Sequence, residues 1–162
     1  MSQEIRIEGL AELSRTLEQF TDKLQKAALR SALRAGAQEV RKEAQRLAPV
    51  RTGKLRDTIR VGTRYDRRSG EVQATVSAGN RKRGVFYASM VEFGTTGHPI
   101  IAGGGTKAGQ VLAAGARILG ERVDHPGAKP KPFMRPALDT RAKDALEAVR
   151  AQLAARIEKL QR

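Results

Sequence analysis

Few residues of this 162-residue sequence have the type and spacing that catalysis requires. Glu92 lies between Val91 and Phe93. A carboxylate in apolar surroundings is a candidate general acid or base, because burial changes the pH at which it takes up a proton. A buried glutamate also pairs readily with an arginine, and this sequence has many. Glu92 is therefore the one acid–base candidate, and an ion pair is the interpretation we favour for it.

The two histidines and the longest glycine run do not form a recognisable ligand site. His98 and His125 are each followed by proline, and no metal-binding spacing such as HExxH surrounds them. The segment 103–107, GGGTK, lacks the spacing of a phosphate-binding GxxxxGK[ST] loop. The absence of cysteine excludes disulfides, thiolate nucleophiles and cysteine-ligated metals. We therefore predict no enzymatic activity, no cofactor and no metal site.

Positive charge is the strongest signal in the composition. The chain has 31 Lys and Arg against 17 Asp and Glu, a formal net charge of +14, and the excess lies after residue 50. The candidate contacts for phosphate or for an acidic partner are Arg64, Arg67, Arg68, Arg81, Lys82 and Arg83. Few aromatic residues accompany them, so sequence-specific DNA binding is not expected. Solvated loop charge, an acidic protein surface and the DNA backbone stay open as explanations.

Length and composition predict one folded domain over residues 1–162. Hydrophobic residues make up 40% and charged residues 30% of the chain, as is typical of globular proteins. No stretch approaches the about 18 apolar residues of a membrane span. The first residues lack the pattern of a signal peptide. We expect an intracellular protein that does not enter membranes.

Helical periodicity dominates both ends of the chain. After a predicted short strand at 4–8, apolar residues at helical spacing predict a helix over 10–20 and a second one from the Thr21 N-cap to Leu47, where Pro49 stops it. The small residues Ala35, Gly36 and Ala37 predict that another backbone packs closely against the middle of this second helix. A terminal helix with Pro136 in its first turn presents one apolar face, formed by Leu146, Val149, Leu153, Ile157 and Leu160.

Alternating apolar residues in the middle of the chain predict a β-hairpin. Residues 59–65 and 72–78 both have period two, and they flank the polar turn 66–70. The densest apolar stretch, 85–93, is predicted to lie in the core. The fold class is therefore α+β, with a long N-terminal helix and a C-terminal helix packed on a small antiparallel sheet.

Two segments are predicted to lack regular structure. Six of the 16 glycines lie within 94–109, which predicts a loop of weak order there. Four of the six prolines lie within 125–136, which predicts an extended, polyproline-like arm.

Three segments, in this order, resemble one family of phage proteins. They are 47–55 (LAPVRTGKL), 87–95 (YASMVEFGT) and 125–138 (HPGAKPKPFMRPAL). Together with the opening strand, the GLxEL helix and the Ala/Arg-rich second helix, they resemble the neck or tail-component family of long-tailed bacteriophages and prophages, of the HK type. The resemblance covers almost the whole chain. The exception is the glycine-rich stretch 97–123, which looks like an inserted loop or hairpin that shorter relatives lack.

The resemblance implies a structural virion protein rather than an enzyme. It implies a neck or tail-completion subunit that forms a hexameric ring at the head–tail junction, joins head to tail and lets DNA pass. The implied partners are copies of itself, the head connector and the tail terminator or tail tube proteins, with assembly in the host cytoplasm. For a ring subunit, the resemblance favours docking of the basic residues against acidic neighbours, with contact to the DNA backbone as the second use. Charge alone supports the alternative, a non-specific nucleic-acid-binding protein.

The candidate residues for the subunit core and for contacts between subunits lie in the second and third segments. They are Glu92, Phe93, Gly94, His125, Lys129, Lys131, Phe133, Met134 and Arg135. Phe133 and Met134, set between prolines, could form an apolar anchor that enters a neighbour's pocket, with cations on its rim. Phe133 could equally cap the core of its own subunit. Only the anchor interpretation predicts loss of assembly while the monomer stays folded.

Overall fold

The computed structural model describes residues 10–18, 20–102, 111–114 and 117–161. The predicted strand at 4–8 and the glycine run at 103–105 lie outside the described residues. The chain forms two compact units: residues up to 86 together with those from 133 onward, and Tyr87–Pro132. The predicted single domain, the insertion at 97–123 and the arm at 125–136 stay predictions.

The described elements follow one another in this order. They are α1 (Leu10–Leu17), α2 (Asp22–Leu47), α3 (Lys54–Asp57), β1 (Arg60–Tyr65), β2 (Val72–Ser77), a 3₁₀ turn (Arg81–Arg83), α4 (Ala88–Phe93), β3 (His98–Ile101), β4 (Leu112–Ala114), β5 (Arg117–Gly120), β6 (Arg122–His125) and α5 (Met134–Gln161). The α+β class is confirmed. No helix in the described part of the chain is long and apolar enough to cross a membrane.

The core of the first unit lies where its three longer helices meet. Leu17, Ala28, Ala32, Leu153 and Ile157 form one buried cluster there, contributed by α1, α2 and α5. On its other side α2 packs against the β1–β2 hairpin. The apolar face predicted for the terminal helix is therefore the face that it buries.

Gly36 allows α2 and α5 to approach closely. A Cβ atom at this position would lie 2.5 Å from the carbonyl oxygen of Ala145 and 2.6 Å from Cγ2 of Val149. Both distances are far below the 3.5–4.0 Å at which non-bonded carbon atoms attract one another. The predicted close approach of a second backbone is confirmed at Gly36.

The predicted boundaries of the long helix are also correct. Thr21 has the extended backbone of an N-cap (φ −63°, ψ 149°), and α2 ends at Leu47 with Ala48 as its C-cap. The next residue is Pro49, which cannot continue a helix. The first helix is shorter than predicted and ends at Leu17, and the short helix α3 at Lys54–Asp57 was not predicted.

The β1–β2 hairpin forms as predicted. Its antiparallel register joins Arg60 to Ser77 at one end and Tyr65 to Val72 at the other. Side chains along β1 alternate between exposed and half-buried. Asp66 stabilises the turn, because its Oδ1 accepts the backbone N–H of Arg68 at 2.8 Å. One face of the hairpin covers α2, and the other face is exposed.

Glu43 is a buried carboxylate on α2 that the sequence analysis did not single out. Its side chain is 4% exposed, and Oε1 lies 2.6 Å from Nη2 of Arg46. Oε2 lies 3.5 Å from Nε of Arg141 on α5. The hydrogen bonds from Arg46 hold the pKa of the Glu43 carboxyl below its usual value, against the opposing effect of burial. Glu43 therefore links the two long helices as an anion.

Replacing Glu43 with glutamine is expected to destabilise the protein at neutral pH. The pKa of Glu43 in the folded state lies below that of an unfolded glutamate, about 4.3. Its contribution is therefore fully present above that pH and is lost as the pH falls through the folded-state pKa. Urea unfolding between about pH 7 and about pH 3 should show a steep acid loss in the wild type and a smaller one in Glu43→Gln.

Glu39→Gln is the matched control for this experiment. Glu39 lies on the same helix and pairs at 2.7 Å with Lys42, whose side chain is 68% exposed. An exposed pair of this kind contributes little to stability. Identical pH profiles for the wild type and Glu43→Gln would contradict the role of Glu43.

The second unit contains two antiparallel strand pairs, whose positions the sequence did not predict. β3 pairs with β6, which places His98 opposite His125, and β4 pairs with β5. The predicted loop over 94–109 is therefore wrong for His98–Ile101, which form β3. Proline lacks a backbone N–H and is tolerated only in strands with an unpaired edge. Among the described residues β3 pairs with β6 alone, so it has such an edge and can contain Pro99.

Candidate subunit interface

Two of the three segments that resemble the phage family, 87–95 and the first part of 125–138, come together in the second unit. Thr95 and Ala128 exchange two backbone hydrogen bonds, with N–O distances of 2.9 and 3.0 Å. The amide of Lys131 donates to the carbonyl oxygen of Val91 at 2.8 Å. We call the two stretches joined in this way, 91–95 and 127–131, the backbone clasp.

Two glycines make the backbone clasp possible. Gly94 ends α4 with φ 73° and ψ −173°, a conformation that residues with a side chain avoid. A Cβ atom there would lie 2.5 Å from the carbonyl oxygen of Ala128. Gly127 has φ 87°, and a Cβ atom on it would overlap the carbonyl oxygen of Thr95. Gly94 and Gly127 are therefore required, because the backbone has positive φ at both positions and leaves no room for a Cβ atom.

The two histidines serve this same turn. Their rings lie 5.3 Å apart between centroids, at an angle of 33°. Nδ1 of His125 accepts the N–H of Gly127 at 3.0 Å, and Nδ1 of His98 lies 3.0 Å from the carbonyl oxygen of Thr96, to which it donates. No group of three or more potential metal ligands occurs among the described residues. His125 thus orients the turn that begins the third segment.

The end of α4 presents a large aromatic side chain to solvent. Phe93 is 77% exposed and Met90 is 46% exposed. The prediction that 85–93 lies in the core is correct for Val85 and Ala88 and wrong for Phe93, Met90 and the exposed Phe86. The physical reason is that a helix of six residues buries only one side, and composition does not say which.

The second unit exposes most of the large apolar side chains that the described chain leaves in solvent. Seven of the eleven such residues belong to it: Met90, Phe93, Ile100, Ile101, Val111, Ile118 and Leu119. We call these seven residues the apolar set. Exposed apolar side chains that form a contiguous patch are typical of a site that another protein covers, so the apolar set supplies candidates for such a site.

A family of phage proteins matches the first part of this chain. Residues 11–94, more than half of the chain, match the family described as "Bacteriophage HK97-gp10, putative tail-component". The chain belongs to this phage tail-component family. The comparisons with curated proteins and with solved structures found no match.

The family match follows the architecture of the described chain. It begins within α1 and ends at Gly94, the C-cap of α4. It includes the first recognised segment and all but the last residue of the second. Membership in a phage tail-component family supports a structural role in the virion, in contact with other virion proteins.

The remaining candidates of this tail component differ in exposure. Glu92 is buried, Met134 is half-buried, and Lys129, Lys131 and Arg135 are exposed. Their roles in contacts between subunits stay predictions.

Phe133 is the largest side chain that the described chain buries completely. Its ring is packed inside its own chain, which supports the interpretation that Phe133 caps the core of its own subunit. Its role in contacts between subunits stays a prediction.

Proposed function

We propose that this tail component is a neck or tail-completion subunit that forms a hexameric ring at the phage head–tail junction. The ring joins head to tail and lets DNA pass. In this proposal the partners are further copies of the chain, the head connector and the tail terminator or tail tube proteins. Assembly takes place in the host cytoplasm.

The observation that carries the proposal is the exposure of Phe93 on the backbone clasp. The clasp fixes the end of α4 through backbone hydrogen bonds, so Phe93 is held in place without being buried. A rigid, exposed aromatic residue is the type of side chain that dominates protein–protein interfaces. A ring requires two different patches on each subunit, and the apolar set provides one of them.

The expected contribution of Phe93 is large enough to measure. Complete burial of a phenylalanine side chain stabilises a contact by about 1.5–3 kcal/mol. In a closed ring the same contact recurs at every interface. Loss of about 1.4 kcal/mol at each contact already weakens every interface about tenfold.

The Phe93→Ser variant tests the proposal. Size exclusion with light scattering, and electron microscopy of negatively stained particles, should show rings for the wild type and monomers for Phe93→Ser. The variant should keep the circular dichroism spectrum and unfolding midpoint of the wild type, because Phe93 is 77% exposed. Val50→Ser is the matched control, because Val50 is 63% exposed in the first unit and should leave the rings intact.

Infection provides a second test. Deletion of the gene should give filled heads and separate tails that fail to join. A strictly monomeric wild type at high concentration, rings of Phe93→Ser, or normal joining after deletion would each contradict the proposal. The family match favours this role over the alternative of a free nucleic-acid-binding protein.

A further inference from the structure

Half of the net charge of the protein lies in one continuous stretch of the first unit. Residues 51–86 contain ten cationic and three acidic side chains, a net charge of +7 out of the +14 of the whole chain. The exposed cations around the hairpin are Arg60, Arg64, Arg67, Arg68, Arg81, Lys82 and Arg83. We call these seven residues the basic hairpin surface.

The hairpin distributes these cations along its length. Arg60 and Arg64 occupy exposed positions of β1, where the alternation of side chains places them on one face. Arg67 and Arg68 lie in the turn at one end of the hairpin. The 3₁₀ turn Arg81–Arg83 follows β2 at the opposite end. A strand of this length extends about 20 Å, a distance over which duplex DNA carries about twelve phosphates.

The charges on this surface are not neutralised by the chain. None of the seven cations has a carboxylate within ion-pair distance in the part of the chain that the structure describes. The nearest acidic residue in the turn, Asp66, directs Oδ1 to the backbone amides of Arg68 and Ser69. Such a concentration of one charge costs stability through self-repulsion unless a partner of opposite charge covers it.

The composition of the surface favours phosphate over an acidic protein. Two large apolar side chains are exposed at the borders of this stretch, Val50 and Phe86, and among the described residues none is exposed on the hairpin and the 3₁₀ turn between them. Protein–protein interfaces need an apolar centre, and in this chain the apolar set lies in the other unit. Arginine, which makes up six of the seven cations, binds phosphate oxygens through two parallel N–H groups. The aromatic residue of the hairpin, Tyr65, lies beneath Nζ of Lys26 at 4.5 Å from its ring centre and so does not stack on bases.

We propose that the basic hairpin surface binds the phosphate backbone of double-stranded DNA without sequence preference. This inference deepens the proposed function, on which it rests for the presence of DNA in the ring. It also reverses the preference for an acidic neighbour, which was drawn for a ring subunit. The reversal follows from the absence of exposed large apolar side chains on the described hairpin and 3₁₀ turn themselves.

Fluorescence anisotropy with two unrelated duplexes of about 20 bp tests the proposal at several salt concentrations. The wild type should bind both duplexes equally, and its affinity should fall steeply with salt. The variant R60Q/R64Q/R67Q should bind at least about tenfold more weakly at about 50 mM salt. A plot of log binding constant against log salt concentration should be shallower for this variant by about 2.7, because each of the three lost phosphate contacts removes about 0.9 from the slope. K143Q/R150Q/K159Q removes the same charge from exposed positions of α5 and should retain wild-type binding within about twofold.

Three results would overturn the proposal. They are no binding at about 50 mM salt, an equal loss in both triple variants, and binding of poly-glutamate in place of DNA. Light scattering on the same samples separates this proposal from that of the ring. Rings without DNA binding leave the ring proposal intact and overturn this one. Monomers that bind DNA through the hairpin contradict the ring and support this proposal.

Discussion

The Phe133→Ala variant is expected to lose about 3–5 kcal/mol of unfolding free energy, the typical cost of removing a fully buried phenylalanine ring. Phe133 has no exposed surface, and it is the largest of the completely buried side chains among the described residues. The loss should appear as a lower midpoint in urea unfolding, together with a reduced yield of folded protein. Assembly should fail only because the monomer fails to fold.

Phe93→Ala is the matched control for this prediction. The same side chain is removed from a position that is 77% exposed, so the stability of the monomer should change by less than about 0.5 kcal/mol. The two phenylalanines should therefore separate folding from assembly. A Phe133→Ala protein that unfolds like the wild type and cannot assemble would restore the anchor interpretation of Phe133.

Gly36→Val is expected to lower the free energy of unfolding by about 3 kcal/mol, at the upper end of the usual cost of overpacking. The added Cβ would meet the backbone of Ala145 at 2.5 Å, and a backbone carbonyl cannot rotate away as a side chain can. The two long helices would have to separate. This cost outweighs the gain of less than about 1 kcal/mol from replacing a helical glycine.

Gly62→Val is the control, because nothing lies within 4 Å of the position that its Cβ would occupy. Valine also favours strands, so this variant should be neutral or slightly more stable than the wild type. Differential scanning calorimetry of the two variants measures the contrast. Equal midpoints would show that the helices adjust without cost and would contradict the assigned role of Gly36.

Local patterns predicted those elements that local rules decide. Helix α2 begins after Thr21, which has the extended backbone of an N-cap but makes no side-chain capping hydrogen bond, and it ends before Pro49, whose missing N–H acts within a few residues. The hairpin followed from period-two alternation on both sides of a polar turn. The buried face of α5 followed from helical spacing, because a long amphipathic helix presents its apolar side to the core.

Features that depend on distant residues were not predictable in the same way. Glu43 is indistinguishable from a surface charge until Arg141, almost a hundred positions away, is placed beside it. Strands β3 and β6 are short and pair across the twenty residues 102–121, so no local signal identifies them. Gly94 was predicted to begin a loop of weak order and Gly127 to lie in an extended arm, whereas the stretches that contain them are joined by backbone hydrogen bonds.

The candidate site was predictable in position but not in exposure. The recognised segments contain both Phe93 and Phe133, and each is an aromatic residue beside a glycine or a proline. One is almost fully exposed and the other fully buried. Only the fold separates them, because exposure depends on what the rest of the chain packs against each ring.

The backbone clasp also bears on how such a protein can diverge. Thr95 and Ala128 are hydrogen-bonded to each other, so the two ends of the segment between them lie side by side. Doubling the length of a loop closed in this way costs only about 0.6 kcal/mol. Insertions and deletions can therefore accumulate between these two residues while Phe93 keeps its place.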